Sequence, residues 1–332
     1  MNAALQQLLK ETSRSFYLTL RVLPGAIRPQ IGLAYLLART TDTIADTEIV
    51  PLDQRLDALQ KLCGRILGQS SAPLNFGELA RQQGSPAEKL LLENVETALG
   101  ELHKLTATDL QLVRAVLEII TSGQELDLKR FAGASAKNVI ALQNDAELDD
   151  YTYRVAGCVG EFWTKMCRAH VFPSAKLDDA KFLADGIRFG KGLQLVNILR
   201  DLASDLRQGR CYVPSDRLSA YGLIPANLLE PEHEPTFRPL YQTYLMRAES
   251  HLEAGWVYTN ALPRSCVRVR LACAWPILIG VKTLGRLRDG NVLDPHQKIK
   301  ITRAELRKTI VATIVNYPWR SRWNGLFAQA RA

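Results

Sequence analysis

Apolar residues recur every three or four positions along almost the whole chain, and this helical period limits the possible folds more than any other feature. The stretches with this spacing are 27–45, 52–67, 87–102, 109–131, 145–167, 178–206, 235–261, 264–287 and 302–315. Strand-like alternation between turn residues is nearly absent. The sequence therefore predicts an all-α protein.

The breaks between these stretches are short. They fall at 68–75, 208–214, 221–231 and 290–297, and each contains Gly, Pro, Asn or Ser. A chain of 332 residues with 47% hydrophobic and 23% charged residues has an ordinary globular composition. Stretches 191–199 and 271–281 are apolar on more than one face, which indicates central helices. We expect one all-α domain, 1–332, folded as a helical bundle around a central cavity.

The excess positive charge is concentrated near the end of the chain. The formal charge is +8, whereas residues 264–332 alone hold 14 Lys/Arg and three Asp/Glu. Such a region suits nucleic acid, anionic lipid or a phosphate-bearing ligand, or is simply a solvated basic surface. Residues 316–332 mix aromatics with arginine, so we expect a tail that is either flexible or lies on a membrane surface.

No stretch predicts a membrane span or a disulfide framework. The longest apolar run, 271–281, contains Pro276 and is far shorter than the ~20 residues that a spanning helix needs. The first 16 residues are polar and do not resemble a signal peptide. The six cysteines have no metal-site spacing and are expected to be reduced thiols. These features predict a cytoplasmic protein, either free or peripheral on the cytoplasmic membrane face.

Two pairs of aspartates have a spacing that suggests chemistry. Asp42 and Asp46 lie four residues apart, as do Asp201 and Asp205, so each pair shares one helical face. Like charges repel there by a few tenths of a kcal/mol, and a divalent cation would remove that cost. A single such pair is more often a solvated helix face. Two pairs beside apolar runs favour Mg²⁺ and a phosphate-bearing substrate.

The residues around the pairs strengthen this interpretation. Asn197 and Gln194 extend the polar stripe of the second pair toward the N-terminus, Arg39 precedes the first pair, and Arg200 and Arg210 flank the second. Arginines bind phosphate oxygens, and together with a metal they stabilise a leaving diphosphate. The nearby aromatics, Phe16, Tyr35, Tyr151 and Tyr153, would shield a carbocation, although any one of them could be an ordinary core residue.

Four ordered motifs resemble the squalene/phytoene synthase family. They are SRSF at 13–16, YLLARTTDTIAD at 35–46, DYTYRVAGCVG at 150–160, and QLVNILRDLASD at 194–205 with GRCYVP at 209–214. The resemblance implies an isoprenoid synthase fold in which two aspartate-rich motifs face a central cavity. It also implies a prenyltransferase of isoprenoid and lipid metabolism that joins two prenyl diphosphates head to head through a cyclopropyl intermediate.

The resemblance also implies roles for individual residues. Tyr151 would steer the first half-reaction, by proton transfer or cation stabilisation. The expected metal ligands are Asp42, Asp46, Asn197, Asp201 and Asp205. Arg39 would act with these aspartates in catalysis and, like the other diphosphate-holding arginines, would bind substrate. The substrate-binding residues would be Arg14, Phe16, Tyr35, Gln194, Arg200 and Arg210.

The second half-reaction separates the branches of the family. Squalene-forming members reduce the intermediate with NADPH, phytoene- and dehydrosqualene-forming members lose a proton, and some stop at presqualene diphosphate. The segment 297–303 resembles a basic stretch that helps squalene-forming members hold NADPH, and Lys298, Lys300 and Arg303 are the candidates; a solvated basic turn is the alternative. We expect Mg²⁺- and NADPH-dependent conversion of two farnesyl diphosphates to squalene, with the other three products as alternatives.

Two other classes of protein fit the sequence less well. A terpene cyclase pairs one aspartate-rich motif with a different Asn/Ser/Glu metal motif, whereas this chain has a second aspartate pair. A helical protein that binds nucleic acid would have no need of two aspartate pairs beside arginines. We therefore expect no nucleic-acid partner, and peripheral membrane contact, while the oligomeric state is not determined by the sequence.

Overall fold

The computed structural model describes residues 1–13, 16–297 and 299–331. It is 74% helical, which confirms the predicted all-α fold class. The α-helices are α1 (Ala3–Ser13), α2 (Phe16–Val22), α3 (Arg28–Asp46), α4 (Leu52–Leu67), α5 (Gly77–Arg81), α6 (Pro86–Glu93), α7 (Val95–Leu102), α8 (Ala107–Arg130), α9 (Asp145–Thr152), α10 (Cys158–His170), α11 (Asp179–Arg207), α12 (Ser215–Ser219), α13 (Glu234–Ala261), α14 (Val267–Asp289), α15 (Arg303–Asn316) and α16 (Arg320–Arg331).

Short elements complete the fold. A π-helical turn spans Tyr153–Gly157, and 3₁₀ turns span Pro225–Leu229 and Pro231–His233. Strands β1 (Ile140–Ala141) and β2 (Arg210–Cys211) pair in parallel over two residues each.

Most predicted helices match within three residues, and two departures have a local cause. The stretch 87–102 is two helices, because Asn94 ends the first and its side-chain amide donates to Leu90 O at 2.8 Å. The stretch 145–167 is interrupted by the π-helical turn. Periodicity alone cannot detect either break, since the apolar spacing continues across both.

The first of two compact units contains residues Met1–Ala132 and Phe162–Ala175. Its helix α3 packs against α4 and α8, and residues such as Leu36, Leu37 and Leu59 are fully buried there. Thr106 caps α8 by accepting a hydrogen bond from Asp109 N at 3.2 Å. Helix α3 is therefore supported by its packing against α4 and α8.

The second unit contains residues Gly133–Glu161 and Lys176–Ala332. Helix α11 packs along α13 and also against α14, and both predicted central stretches are largely buried. The fully buried Tyr241 of α13 donates its hydroxyl to Leu199 O of α11 at 3.0 Å. This bond fixes the turn of α11 that precedes Asp201.

Two glycines let the π-helical turn and the start of α10 approach α11 very closely. A Cβ on Gly160 would lie 2.0 Å from Gly186 O, and one on Gly190 would lie 2.1 Å from Ala156 O. Neither distance is possible for a real side chain, so both positions require glycine. The backbone that follows Tyr151 is therefore packed directly on α11.

The end of the chain is folded within the second unit. Trp323, Leu326 and Phe327 of α16 are buried, and the Trp323 ring stacks on Trp256 with centroids 5.4 Å apart. Among the described helices, none is long and apolar enough to cross a bilayer. All six cysteines are free thiols.

Candidate functional site

The first aspartate pair lies at the end of α3 in the first unit. Arg39 donates to the Asp42 carboxylate and, through its other terminal nitrogen, to Glu88 Oε1 of α6 at 2.5 Å. The Asp42 side chain keeps 41% of its surface exposed, and Asp46, one turn later, is exposed. Partial loss of hydration raises the pKa of Asp42, and the neighbouring Arg39 opposes this. The pair is thus reachable, with an arginine fixed beside it.

Two aromatic residues that were predicted to bind substrate, Phe16 and Tyr35, lie together in the first unit. The rings of Phe16 and Tyr35 stack with centroids 5.2 Å apart, and the Tyr35 hydroxyl donates to Thr12 O at 3.3 Å. Arg14, the remaining candidate of this segment, lies outside the described residues. The structure therefore brings Phe16 and Tyr35 into contact.

The second aspartate pair lies near the end of α11 in the second unit. Gln194, Asn197, Asp201 and Asp205 follow one another at three- and four-residue steps and so share a face of this helix. Asn197 is exposed and donates to Gln194 Oε1 at 3.3 Å. Arg200 binds the Asp201 carboxylate with two hydrogen bonds, one of them 2.9 Å from Nε, and this raises the pKa of Arg200.

Arg210 lies on β2, which follows the second aspartate pair in the sequence. The strand is held by Ile140 N, which donates to Gly209 O at 2.8 Å. Gly209 has φ +81°, and a Cβ there would lie 2.1 Å from Ser135 N, so the turn before Arg210 requires glycine. The close turn explains why the motif GRCYVP begins with this residue.

Tyr151 lies on α9 and is almost fully buried, with 9% of its surface exposed. Its ring stacks on Tyr212 at a centroid distance of 4.6 Å. Tyr153, two residues later, donates its hydroxyl to Glu161 at 3.0 Å, and burial together with this carboxylate raises the pKa of Tyr153 to about 12. The Tyr153 hydroxyl is therefore fixed by its hydrogen bond to Glu161.

An ion-pair network that the sequence did not suggest positions α9. Lys191 of α11 binds Asp149 at 2.7 Å, and Arg247 of α13 contacts Asp145 at 3.1 Å and Asp149 at 3.3 Å. The Tyr244 hydroxyl donates to Asp145 at 3.0 Å. These contacts join residues about 40 and 100 positions apart in the chain, so no local pattern could reveal them. They hold the helix that carries Tyr151.

Two of the three basic candidates near residue 300 are described. Lys300 and Arg303 are exposed, and neither forms an ion pair with a described residue, whereas Lys298 lies outside the described ranges. The backbone of Lys300 accepts a hydrogen bond from Arg286, which also binds Glu305 at 2.7 Å. Both cations are thus exposed without a carboxylate partner among the described residues.

The donor set at each aspartate pair suits Mg²⁺ bound together with substrate. Within the described ranges, no group of three or more His, Cys, Asp or Glu side chains could hold a metal ion alone. Each pair offers two carboxylates one helical turn apart. Because Mg²⁺ is usually held by one or two carboxylates plus substrate phosphates, the pairs fit this ion with a diphosphate.

These observations define the class of protein when they are combined with its similarity to known families. The family model described as squalene/phytoene synthase matches residues 9–305. The chain therefore belongs to the squalene/phytoene synthase family. This is a family of prenyltransferases, and its substrates are prenyl diphosphates.

Individual relatives place the chain within that family. It is 26% identical to the squalene synthase of Saccharomyces cerevisiae over 89% of this chain and 63% of the yeast protein. It is 29% identical to the bifunctional lycopene cyclase/phytoene synthase of Gibberella fujikuroi over 73% of this chain and 40% of that protein. The chain thus spans less than two thirds of either relative.

A solved structure shows the same fold. The complex of TcSQS with the ligand BPH1237 superposes with a TM-score of 0.77 at 19% identity and covers 99% of this chain and 98% of the other. At this identity the match concerns the fold alone.

Proposed function

We propose that the protein is a squalene synthase. It condenses two farnesyl diphosphates head to head to presqualene diphosphate, releasing one diphosphate and one proton. It then transfers a hydride from NADPH to the carbon skeleton as the second diphosphate leaves. The observation that carries the proposal is the repetition of an aspartate pair with an adjacent arginine, Arg39–Asp42 on α3 and Arg200–Asp201 on α11.

Each motif has the parts needed to bind a diphosphate. The proposed ligands of Mg²⁺ are Asp42 and Asp46 in the first unit and Asp201, Asp205 and Asn197 in the second. When bound, Mg²⁺ neutralises negative charge on the departing diphosphate. Arg39 and Arg200 add charge-assisted hydrogen bonds to phosphate oxygens, and Arg210 and Arg14 are proposed to do the same.

Tyr151 is the proposed residue for the first condensation. It lies in the DYTYR motif on a helix held by Lys191 and Arg247, and it is nearly buried, so its hydroxyl acts away from bulk water. It either accepts the proton lost in cyclopropane closure or stabilises the preceding cation through its ring. Phe16, Tyr35 and Gln194 are proposed to contact the prenyl chains.

Reduction, rather than proton loss, is supported by the free cations at Lys300 and Arg303. NADPH supplies the hydride when bound, and the two side chains would hold its phosphates. The extent of similarity also favours this branch, since the match to yeast squalene synthase covers 89% of the chain and the match to the phytoene synthase relative covers 73%.

The test is product analysis with farnesyl diphosphate and Mg²⁺, with and without NADPH. We expect squalene only when NADPH is present. Dehydrosqualene or presqualene diphosphate as the final product in its presence would refute the reductive step. Preferential conversion of geranylgeranyl diphosphate to phytoene would assign the chain to the other branch.

A paired variant separates cofactor binding from condensation. Lys300→Gln with Arg303→Gln should raise the KM for NADPH and leave presqualene diphosphate formation unchanged. The matched control removes two exposed lysines of the same unit, Lys137→Gln with Lys176→Gln, and should change neither quantity. An unchanged KM for NADPH in the first variant would exclude these cations from the cofactor site.

A further inference from the structure

Helix α15 shows an inverted pattern of burial. Val311, Ile314 and Val315 are 57%, 52% and 53% exposed, and Leu306 and Ile310 are half-buried, whereas Thr309 and Thr313 are buried. A surface helix of a water-soluble protein ordinarily buries its aliphatic residues and exposes its polar ones. Several aliphatic residues exposed together on one helix are typical of an interaction surface.

Contacts within the second unit hold this orientation in place. Thr313 accepts a hydrogen bond from the indole nitrogen of Trp275 at 2.9 Å and donates to Ile310 O at 2.7 Å. Thr309 donates to Glu305 O at 2.8 Å. Rotating α15 to bury its aliphatic residues would leave the buried Trp275 N–H without an acceptor, which is costly.

The exposed side chains form one continuous face. Residues 304, 307, 308, 311, 314 and 315 are all exposed and fall within an arc of about 120° on a regular helix. Trp319, one helical turn beyond Val315 in sequence, is 50% exposed. We call Arg307, Lys308, Val311, Ile314, Val315 and Trp319 the outer face of α15.

The charges bordering this face have one sign. Residues 303–331 contain six basic residues and a single acidic one, Glu305, which binds Arg286. Arg307, Lys308, Arg320 and Arg322 form no ion pair with a described residue, and the Arg322 guanidinium lies 5.0 Å from the centre of the Trp319 ring. Aliphatic residues, an exposed Trp and unpaired cations are together typical of a helix that lies at an anionic lipid interface.

We propose that the outer face of α15 docks on an anionic lipid surface. Val311, Ile314, Val315 and Trp319 enter the headgroup region, while Arg307 and Lys308 contact lipid phosphates. A second copy of this chain is a poorer occupant, because a symmetric contact would bring the unpaired cations together. The aromatic residues of α16 are buried, so they are not the lipid contacts. This proposal does not depend on the reaction proposed above.

The experiment is flotation of the purified protein with vesicles in the absence of substrate. Vesicles of phosphatidylcholine alone are compared with vesicles that also contain phosphatidylglycerol. We expect binding to the anionic vesicles, weakened by salt. Brominated lipids should quench tryptophan fluorescence in the wild type, and the quenching should be lost in Trp319→Phe.

Two variants separate the apolar and charged contributions. Val311→Ser with Ile314→Ser should lower vesicle partitioning about tenfold or more. Arg307→Gln with Lys308→Gln should lower it roughly 25-fold, since each cation near an anionic surface contributes about fivefold. Two controls change exposed residues elsewhere in the second unit. Met246→Ser removes an apolar side chain, and the double variant Lys137→Gln with Lys176→Gln removes two charges. Both should bind vesicles as the wild type does. All variants should retain turnover in detergent.

Several outcomes would overturn the proposal. They are absence of wild-type binding to anionic vesicles, equal binding by the outer-face variants, and quenching that persists in Trp319→Phe. Self-association that Val311→Ser with Ile314→Ser abolishes would identify a second copy as the occupant. Duplex DNA binding that depends on Arg307 and Lys308 but not on Ile314 would identify nucleic acid. Vesicle binding without prenyl turnover would refute the reaction and leave the docking surface intact.

Discussion

The two aspartate–arginine motifs use the same side chains but hold their arginines differently. Arg39 lies one helical turn before Asp42 and also binds Glu88, which comes from another helix of the first unit. Arg200 is adjacent to Asp201 in sequence and directs two hydrogen bonds to that one carboxylate. The first arginine thus depends on a tertiary contact, and the second depends on its own helix.

This difference has consequences for how each motif should respond to substitution. A guanidinium shared by two carboxylates keeps its direction when either carboxylate binds a ligand. A guanidinium paired with one carboxylate must give up some of its hydrogen bonds to that carboxylate when it binds a diphosphate. We therefore expect the aspartates to be equally essential and the supporting residues to differ in importance.

The largest effects should come from the aspartates themselves. Asp42→Asn and Asp201→Asn should each lower turnover about 10³-fold or more, because both remove a charge needed to hold Mg²⁺ and diphosphate. Turnover is measured with farnesyl diphosphate, and circular dichroism checks that the helical content is unchanged.

Exposed aspartates in the same units provide the controls. Asp57→Asn in α4 and Asp289→Asn at the end of α14 should retain wild-type turnover. A loss confined to one motif would show that the two are not equivalent, and collapse of helical structure in both motif variants would mean that these aspartates are structural.

Tyr151→Phe, a substitution in the second unit, should have the next largest effect on turnover. The substitution keeps the ring stacked on Tyr212 and removes only the hydroxyl, so presqualene diphosphate formation should fall about 10²-fold. Tyr212→Phe is the matched control and should retain most activity. If Tyr151→Phe forms presqualene diphosphate at the wild-type rate, the hydroxyl has no part in the condensation.

Glu88→Gln tests the tertiary contact that distinguishes the first motif. Removing the charge beside Arg39 should raise the KM for farnesyl diphosphate about three- to fivefold while kcat changes little. Within the described residues, the hydrogen bonds of Arg200 go to Asp201 on its own helix. The control is therefore Glu96→Gln, which removes a carboxylate from Arg65 in the first unit. Equal effects of the two substitutions would contradict a specific role for Glu88.

The last expected effect concerns stability in the second unit at acid pH, and it leaves turnover at neutral pH unchanged. Burial, together with Arg188, Arg247 and Lys191, lowers the pKa of His251 to about 4. The ordinary value is about 6.5, so between these pH values the unfolded chain binds a proton that the folded protein excludes. The free energy of unfolding should therefore fall by roughly 1–2 kcal/mol as the pH drops from 6.5 to 4.

His251→Gln should remove this part of the pH dependence. The measurement is urea unfolding of both proteins across that range. A wild-type slope that the substitution leaves unchanged would assign the acid sensitivity to other groups.

Sequence patterns predicted the local geometry of the candidate site residues. Four-residue spacing placed Asp42 with Asp46 and Asp201 with Asp205 on helical faces, and the structure has both pairs on α3 and α11. Patterns could not reveal Glu88 beside Arg39, or Lys191 and Arg247 around α9, because these contacts join distant segments. The π-helical turn after Tyr151 was also missed, since its apolar spacing resembles that of an ordinary helix.

The sequence by itself determined that the chain is helical, where most helices begin and end, and which carboxylates share a face. These properties depend on the 3.6-residue period and on nearby capping residues, which act over one or two turns. Only the tertiary structure decided which face of each helix is buried. In α15 the hydrogen bond from Trp275 to Thr313 turns the threonines inward and leaves Val311 and Ile314 exposed. That choice depends on a partner 38 residues away, and no local pattern contains it.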